Sequence, residues 1–408
     1  MKWKIFCLRY CLILWCSIFS CCIANDQVSV PAASLPIPIN SNVEYGNEAS
    51  YSMINHDFFQ QASSKQLSDT IVVLSIDGGG TYGIIPLKNL INIEHMTDKK
   101  SYQLFNVMAG VSTGTLIVSG LSLTAGHNDK PIPAQEILNN YYQEIPEVFS
   151  SPWWYRIKSV NGMIAPRFTN APKRTVLEKH FGEQARLSQL SATQVLLYAT
   201  SISHNHLAVF DSKQAAALPS QDYQLVNVLM ATTATPLFWP PFELSNIQGA
   251  DKELIIDSAL YFNNPSYGAV MDANRLFPGH PIVLLSLGTG LDQSKTNFQL
   301  IGAHKFKQGL FRAIEPMMML SFEAQSRLAQ QSLVYLFDKK QSPLVAVFRL
   351  NITRLLDSPG SMNSNTQAYA AIDQLADQMI VDNRLITHQL ITILNQIDQA
   401  KQATGANK

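Results

Sequence analysis

Gly110-x-Ser112-x-Gly114 joins a strand-like stretch to a helix-like one, and it is the first pattern in this chain with chemistry in it. A sharp turn of this kind projects the serine hydroxyl above a sheet, and glycine at the flanking positions lets strand and helix pack closely. Ser112 also precedes a helix N-terminus, where free N–H groups favour developing negative charge. Taken alone, the pattern fits an ordinary Ser/Gly-rich turn equally well. Upstream, Gly78-Gly79-Gly80 follows a β-branched run and offers N–H groups unobstructed by side chains, the parts of an oxyanion hole. Downstream, Asp257 ends the run Leu254-Ile255-Ile256 and is followed by Ser258-Ala259 and Asn263-Asn264-Pro265. A carboxylate there can point into a site at the carboxyl edge of a parallel sheet, although a turn or helix-cap aspartate would look the same.

Two rival chemistries use the same stretches. Gly78-x-Gly80-x-x-Gly83 satisfies the dinucleotide fingerprint, with Asp98 twenty residues beyond Gly78. That fingerprint wants its acid at the end of the next strand, whereas Asp98 sits in the polar Thr97-Asp98-Lys99-Lys100 ahead of it. The second rival is a Ser–Asp–His triad. His280, His304 and His388 all follow Asp257 in the chain. His280 precedes a strand and so falls at the opposite edge of the sheet, while His304 and His388 fall in a polar loop and on a helix.

These residues need a frame. Ile71–Ile76 is a continuous apolar run, as expected of a strand buried on both faces, and order is expected to begin at Thr70. Further strands are expected at 104–109, 194–202, 254–256, 282–287 and 344–350, with helices at 84–96, 134–144, 172–181, 222–233 and 266–276. This alternation indicates a parallel α/β sheet with helices on both faces. Ile372, Leu375, Met379, Ile386, Leu390, Ile393 and Ile397 recur at three- to four-residue or one-heptad spacing, the stripe of an amphipathic helix packing on the body within a helical C-terminal third. Residues 25–69 are polar and punctuated by Pro31, Pro36 and Pro38, which suits an extended arm or a partly ordered strap. The expected organisation is therefore 1–24, 25–69, a catalytic body over 70–290 and a mainly helical part over 291–408.

With 408 residues, 46% apolar and 15% charged, the chain can build a large core. Its 30 basic and 30 acidic residues cancel, which excludes nucleic-acid binding through bulk positive charge. All five cysteines (Cys7, Cys11, Cys16, Cys21, Cys22) lie near the N-terminus, so the rest of the chain holds no disulfide, thiolate zinc site or cysteine nucleophile. Residues 1–24 read as a secretory signal, with Lys2, Lys4 and Arg9 ahead of an apolar run too short to span a bilayer. Cleavage after Ala24 is expected, leaving a periplasmic or secreted chain. Ile18-Phe19-Ser20-Cys21 is a poor lipobox, so a lipoprotein is the lesser alternative. Removing three basic residues gives 27 minus 30, a charge of −3, with no basic run for anionic lipid.

Taken in order, Asp77-Gly78-Gly79-Gly80-x-x-Gly83, Gly110-x-Ser112-x-Gly114 and Asp257 before Asn-Asn-Pro resemble the patatin-like phospholipases. Ala231-Thr232-Thr233-Ala234-Thr235-Pro236 and Leu285-Ser286-Leu287-Gly288-Thr289-Gly290 add to the likeness, which covers about residues 70–290. The resemblance implies a three-layer α/β fold and hydrolysis of phospholipid or lysophospholipid by a Ser112–Asp257 dyad, without histidine, metal or cofactor. Amides of Gly78, Gly79 and Gly80 would hold the oxyanion, with Asp77, Gly83, Gly110 and Gly114 supporting the motifs. Because a free carboxylate is a weak base near neutrality, Asp257 is expected to be desolvated and its pKa raised. Two positions depart from the family: Tyr82 replaces an arginine, and Ser258-Ala259 replaces Gly-Gly/Ala. A non-catalytic lipid-binding relative is the remaining alternative.

Trp153-Trp154-Tyr155 and Met317-Met318-Met319-Leu320 are candidate surfaces for transient contact with a membrane or micelle, with core packing as the plainer reading of both. Nothing resembles an EF-hand or a His/Glu metal pattern, so calcium independence is expected. Head-group preference and any protein activator leave no mark in the sequence.

Overall fold

In the computed structural model the residues described are 43–47, 49–124, 130–159, 164–249, 252–292, 310–354, 362 and 365–405. The leader, the arm up to residue 42 and His304 lie outside them. The hairpin β1 (Val43–Asn47) and β2 (Ser50–Ile54) comes first, then α1 (His56–Gln61), α2 (Ser64–Ser68) and β3 (Ile71–Ile76). A tight turn at Gly80–Gly83 opens α3 (Ile84–Thr97), followed by α4 (Ser101–Leu104), β4 (Val107–Val111) and α5 (Thr113–Gly120). Next come α6 (Ala134–Val148), α7 (Trp153–Lys158), α8 (Asn170–Phe181), β5 (Gln194–Ser201), β6 (His206–Asp211), α9 (Ser212–Ala217) and α10 (Leu225–Thr232). The chain continues through β7 (Phe242–Leu244), β8 (Glu253–Asp257), α11 (Ala259–Phe262), α12 (Ser266–Leu276), β9 (Ile282–Leu287) and β10 (Leu291–Asp292). It ends with α13 (Leu310–Phe337), β11 (Leu344–Leu350), β12 (Thr353–Arg354), α14 (Thr366–Asp382) and α15 (Arg384–Thr404).

The main sheet has the order β1-β2-β11-β9-β3-β4-β5-β8-β7, with β6 also on β5. Its centre, β11 through β5, is parallel, and the strands added at either side are antiparallel. Alternate residues of the central strands feed two cores. Val72, Leu74 and Ile76 of β3 pack with α3, α5, α10, α14 and α15, whereas Ile71 and Val73 pack on the face covered by α12 and the end of α13. A strand buried on both faces is apolar along most of its length, which is why the runs at β3, β9 and β11 were readable. The three-layer α/β/α architecture expected from the resemblance is the one found.

Three local expectations change. Residues 104–109 are not one strand: Ser101–Leu104 is helical and β4 starts only at Val107, because Asn106 turns its side chain to accept the Val72 N–H at 2.9 Å. Order does not begin at Thr70, since β2 pairs with β11 and extends the sheet. Nor does the catalytic body stop at 290. β11, from the supposed C-terminal part, lies between β2 and β9 inside the sheet. Among the described residues no helix is long and apolar enough to cross a membrane.

Candidate active site

The sheet register brings the two candidate catalytic residues together. β5 outruns β4: Val111 pairs with Tyr198, and the overhang Ala199–Ser201 pairs instead with β8. Since β8 runs antiparallel to β5, its last residue, Asp257, pairs with Ala199 immediately beyond the end of β4. Ser112, one residue past that end, faces it.

Ser112 holds φ 52° and ψ −122°, a backbone conformation that costs a non-glycine residue about 1–3 kcal/mol and concentrates at functional sites. The elbow is closed by contact. A Cβ on Gly110 would sit 2.4 Å from the Gly114 backbone, and one on Gly114 would sit 2.5 Å from the Ile76 carbonyl. No side chain fits at either position, which fixes the spacing read from the sequence. Ser112 is nearly buried, and its hydroxyl interacts with the Asp257 carboxylate.

Asp257 is fully buried. Oδ2 accepts the Thr235 hydroxyl at 2.6 Å and Oδ1 accepts the Ala259 N–H at 2.9 Å, while the Asp257 N–H donates to the Ala234 carbonyl at 3.1 Å. The Ala-Thr-Thr-Ala-Thr-Pro motif thus orients the carboxylate. Burial pushes the Asp257 carboxyl above its usual range, and Ser112, Thr235, the Ala259 N–H and the charge of Lys173 work against that rise. This is the direction the weak-base argument requires.

Lys173, on α8, gave no signal in the sequence. Its side chain is buried, with Nζ 3.1 Å from the Thr233 carbonyl, 3.2 Å from the Thr233 hydroxyl and 4.4 Å from the centre of the Trp239 ring. Burial brings its pKa down to about 7, opposed by the negative field of Asp257. Asp77 also acquires a partner: Arg349 of β11 donates to Oδ1 at 2.9 Å and to Oδ2 at 2.6 Å, and to Ser286 at 2.7 Å. Burial lifts the Asp77 carboxyl while Arg349 opposes the lift, and the two short forked bonds mark an ion pair tying the end of β3 to β11.

The glycine loop is divided in its roles. The Gly78 N–H donates to the Asn263 carbonyl at 3.1 Å, so it is already engaged; the expectation that all three amides meet a substrate narrows to Gly79 and Gly80. Neither of those amides donates to a partner among the described residues, and Gly80 takes φ 57°, where glycine carries no Cβ penalty. Thr289 fixes the loop by donating to the Gly78 carbonyl at 2.6 Å. Gly83 opens α3 beside Thr113 and Tyr141, which are hydrogen-bonded to each other. Ser258 has φ −79° and ψ −1°, an ordinary conformation, so the turn after Asp257 needs no glycine. Tyr82 is fully buried, with the Arg354 guanidinium 4.4 Å from its ring centre.

The rivals are separated from this centre. His280 bonds the Asp69 carbonyl at 2.7 Å at the entry of β9, the far edge of the sheet, and His388 is exposed on α15. Asp98 is an exposed left-handed cap ending α3 and does not end β4. His180, which no motif in the sequence marks, does reach the cavity but sits 3.1 Å from Glu144.

That cavity opens at Gly80, Ser112 and Thr235. It runs between α5, α6 and α8 past Leu116, Ile137, Ile145, Val176, Leu177 and Phe149. Lys179 and His180 take up the charge of Glu144 in its wall and draw that carboxyl below its usual range, Lys179 chiefly. A long apolar slot beginning at a nucleophile suits an acyl chain.

Residues 74–270 match the family model described as patatin-like phospholipase. Over that segment, just under half of its length, the chain is similar to the patatin-like phospholipases. Patatin-like protein 2 of Arabidopsis thaliana is 27% identical over 253 residues, 56% of this chain and 62% of that protein. A Solanum tuberosum protein, 27% identical over 247 residues (55% of this chain, 63% of that one), bears a name marking it as a probable inactive patatin. The match thus spans less than two thirds of the length of these relatives. Among solved structures, human GIVD cytosolic phospholipase A2 aligns at a TM-score of 0.42 and 10% identity, over 88% of this chain and 66% of that one.

Proposed function

We propose that the protein is a lipid acyl hydrolase, of phospholipase A or lysophospholipase type, with Ser112 as nucleophile and Asp257 as general base. The observation that carries the reading is the buried carboxylate facing a strained serine at the mouth of an apolar slot. Ser112 Oγ attacks the ester carbonyl carbon and its proton passes to Asp257. The carbonyl oxygen gathers negative charge between the Gly79 and Gly80 N–H groups, with the α5 N-terminus behind Ser112 adding to the field. As the tetrahedral intermediate collapses, the leaving alcohol takes the proton from Asp257 and the acyl group stays on Ser112. Water then attacks the acyl carbon, gives a proton to Asp257, and the fatty acid leaves as Ser112 recovers that proton. The leader over 1–24 would export the chain.

Fatty-acid release from phosphatidylcholine and lysophosphatidylcholine, with chelator present, tests the mechanism. Ser112→Ala and Asp257→Asn should each lower kcat by 10³-fold or more, while alanine at His280, His304 or His388 should leave it unchanged. Release that survives Ser112→Ala ends the proposal. No release from wild type on any acyl lipid would make the chain a binding relative, and loss on one histidine change in a folded variant would restore the triad.

A further inference from the structure

The balanced net charge conceals a local excess. From Val148 to Leu177 the chain carries Arg156, Lys158, Arg167, Lys173 and Arg174 and not one acidic residue. Lys173 faces inward and Arg174 is paired with Glu178, but Lys158 and Arg167 are exposed and have no carboxylate partner among the described residues. Large apolar side chains stand out beside them: Trp154 is 53% exposed, Ile157 69%, Ile164 74% and Leu237 47%.

These residues belong to one stitched rim. Tyr155 on α7 donates its hydroxyl to the Pro166 carbonyl at 3.0 Å, and Ser151 donates to the Arg167 carbonyl at 3.1 Å. The Ile164 N–H donates to the Ser159 carbonyl at 3.1 Å, and the Arg167 N–H to the Leu237 carbonyl at 3.0 Å. Leu237 holds φ 73°, a conformation leucine rarely adopts, and stays exposed there. The rim is continuous with the slot. Phe168 packs 5.1 Å from Trp239 and 5.7 Å from Phe149, ring centre to ring centre, and both of those rings line the cavity.

We propose that this rim, α7 with Ile164, Arg167 and Leu237, is the surface by which the protein docks on an anionic lipid bilayer. The proposal rests on the acyl-hydrolase reading and supplies its partner. Three features favour lipid as the occupant. Cations without acids complement an anionic surface, an exposed indole with aliphatic tips suits the interfacial zone, and the rim leads by packed aromatic rings into an apolar slot. Total charge could not reveal it, because the acids lie elsewhere in the chain.

Binding can be read without hydrolysis by floating the full chain carrying Ser112→Ala with vesicles of phosphatidylcholine alone, or of phosphatidylcholine and phosphatidylserine in equal parts. Preference for the anionic vesicles, weakened by salt, is expected. Trp154→Ala with Ile157→Ser should reduce binding about tenfold or more, and Lys158→Glu with Arg167→Glu by at least roughly fivefold per cation. In the Ser112→Ala background, both pairs of changes should keep the far-ultraviolet spectrum of the parent. Restored to Ser112, they should hydrolyse a soluble short-chain ester as wild type does. Equal binding to both vesicle types, or unchanged binding in both variants, overturns the proposal. Self-association without vesicles that the same changes abolish would overturn it in favour of a second copy. Failure of the wild type on the short-chain ester would sink the hydrolase reading and leave the flotation result standing.

Discussion

Replacing Lys173 by methionine should make this protein more stable and less active, and the two effects should separate with pH. The folded lysine has a pKa of about 7 against 10.5 for the free side chain. Each unit is worth ~1.4 kcal/mol, so holding the charge in its apolar site costs roughly 5 kcal/mol at most. Its contacts with Thr233 and the Trp239 face return part of that, and methionine gives those contacts up, leaving a net gain of about 2–4 kcal/mol. Between pH 7 and 10.5 the unfolded chain keeps a proton on Lys173 that the folded chain has released. Wild-type stability therefore rises with pH across that window, and the penalty is complete below it. Methionine should show its full gain at pH 6 and little or none at pH 10.5, as read by urea unfolding at both. Activity moves the other way. Lys173 is one of the groups opposing the rise of the Asp257 pKa, so without it the acid limb of kcat/KM should shift to higher pH. A variant equally destabilised at pH 6 and pH 10.5, with an unmoved acid limb, would refute both halves of the reasoning.

Two other changes probe the same framework. Thr235→Val removes the 2.6 Å bond to Asp257 Oδ2 and lets burial lift that carboxyl further. Because the base must be ionised, the acid limb of kcat/KM should move to higher pH, with a loss of up to about tenfold on that limb that recovers as pH rises, which a pH–rate profile will show. Arg349→Met strands the Asp77 carboxylate in the core and should cost about 3–5 kcal/mol in chemical unfolding. Adding Asp77→Asn to it should recover part of the loss.

What could be read in the sequence was whatever a single segment reveals by itself. β9 and α12 matched their expected bounds, because a strand apolar on both faces and an amphipathic helix each state their environment in their own residues. The serine elbow was equally legible, because its two glycines answer local clashes with Gly114 and with β3. β2 was missed for the opposite reason. Ser50-Tyr51-Ser52-Met53-Ile54 joins the sheet through β11, almost three hundred residues away, and Ser50 Oγ bonds the Asn351 carbonyl at 2.7 Å. Lys173 was invisible because its acceptors are groups of a distant loop, which no pattern around it encodes. Arg349 did leave a signal. A lone arginine inside the buried run Leu-Val-Ala-Val-Phe-Arg-Leu demands a buried carboxylate, and the structure supplies Asp77.

The dyad itself depends on something neither motif contains, the difference in length between β4 and β5. β4 supplies five residues and β5 eight, so the carboxyl end of β5 is left with three unpaired positions on that side. Those positions recruit β8, and its antiparallel direction makes its last residue the one that meets the end of β4. Slipping β8 by one residue would put Ile256 opposite Ala199 and turn Asp257 to the other face of the sheet, because side chains alternate. The Ala234 carbonyl that accepts the Asp257 N–H and the Thr235 hydroxyl that binds its side chain both oppose that slip. The Thr-Ala-Thr segment therefore has two tasks, holding the register of β8 and orienting a base, and a single set of hydrogen bonds performs both.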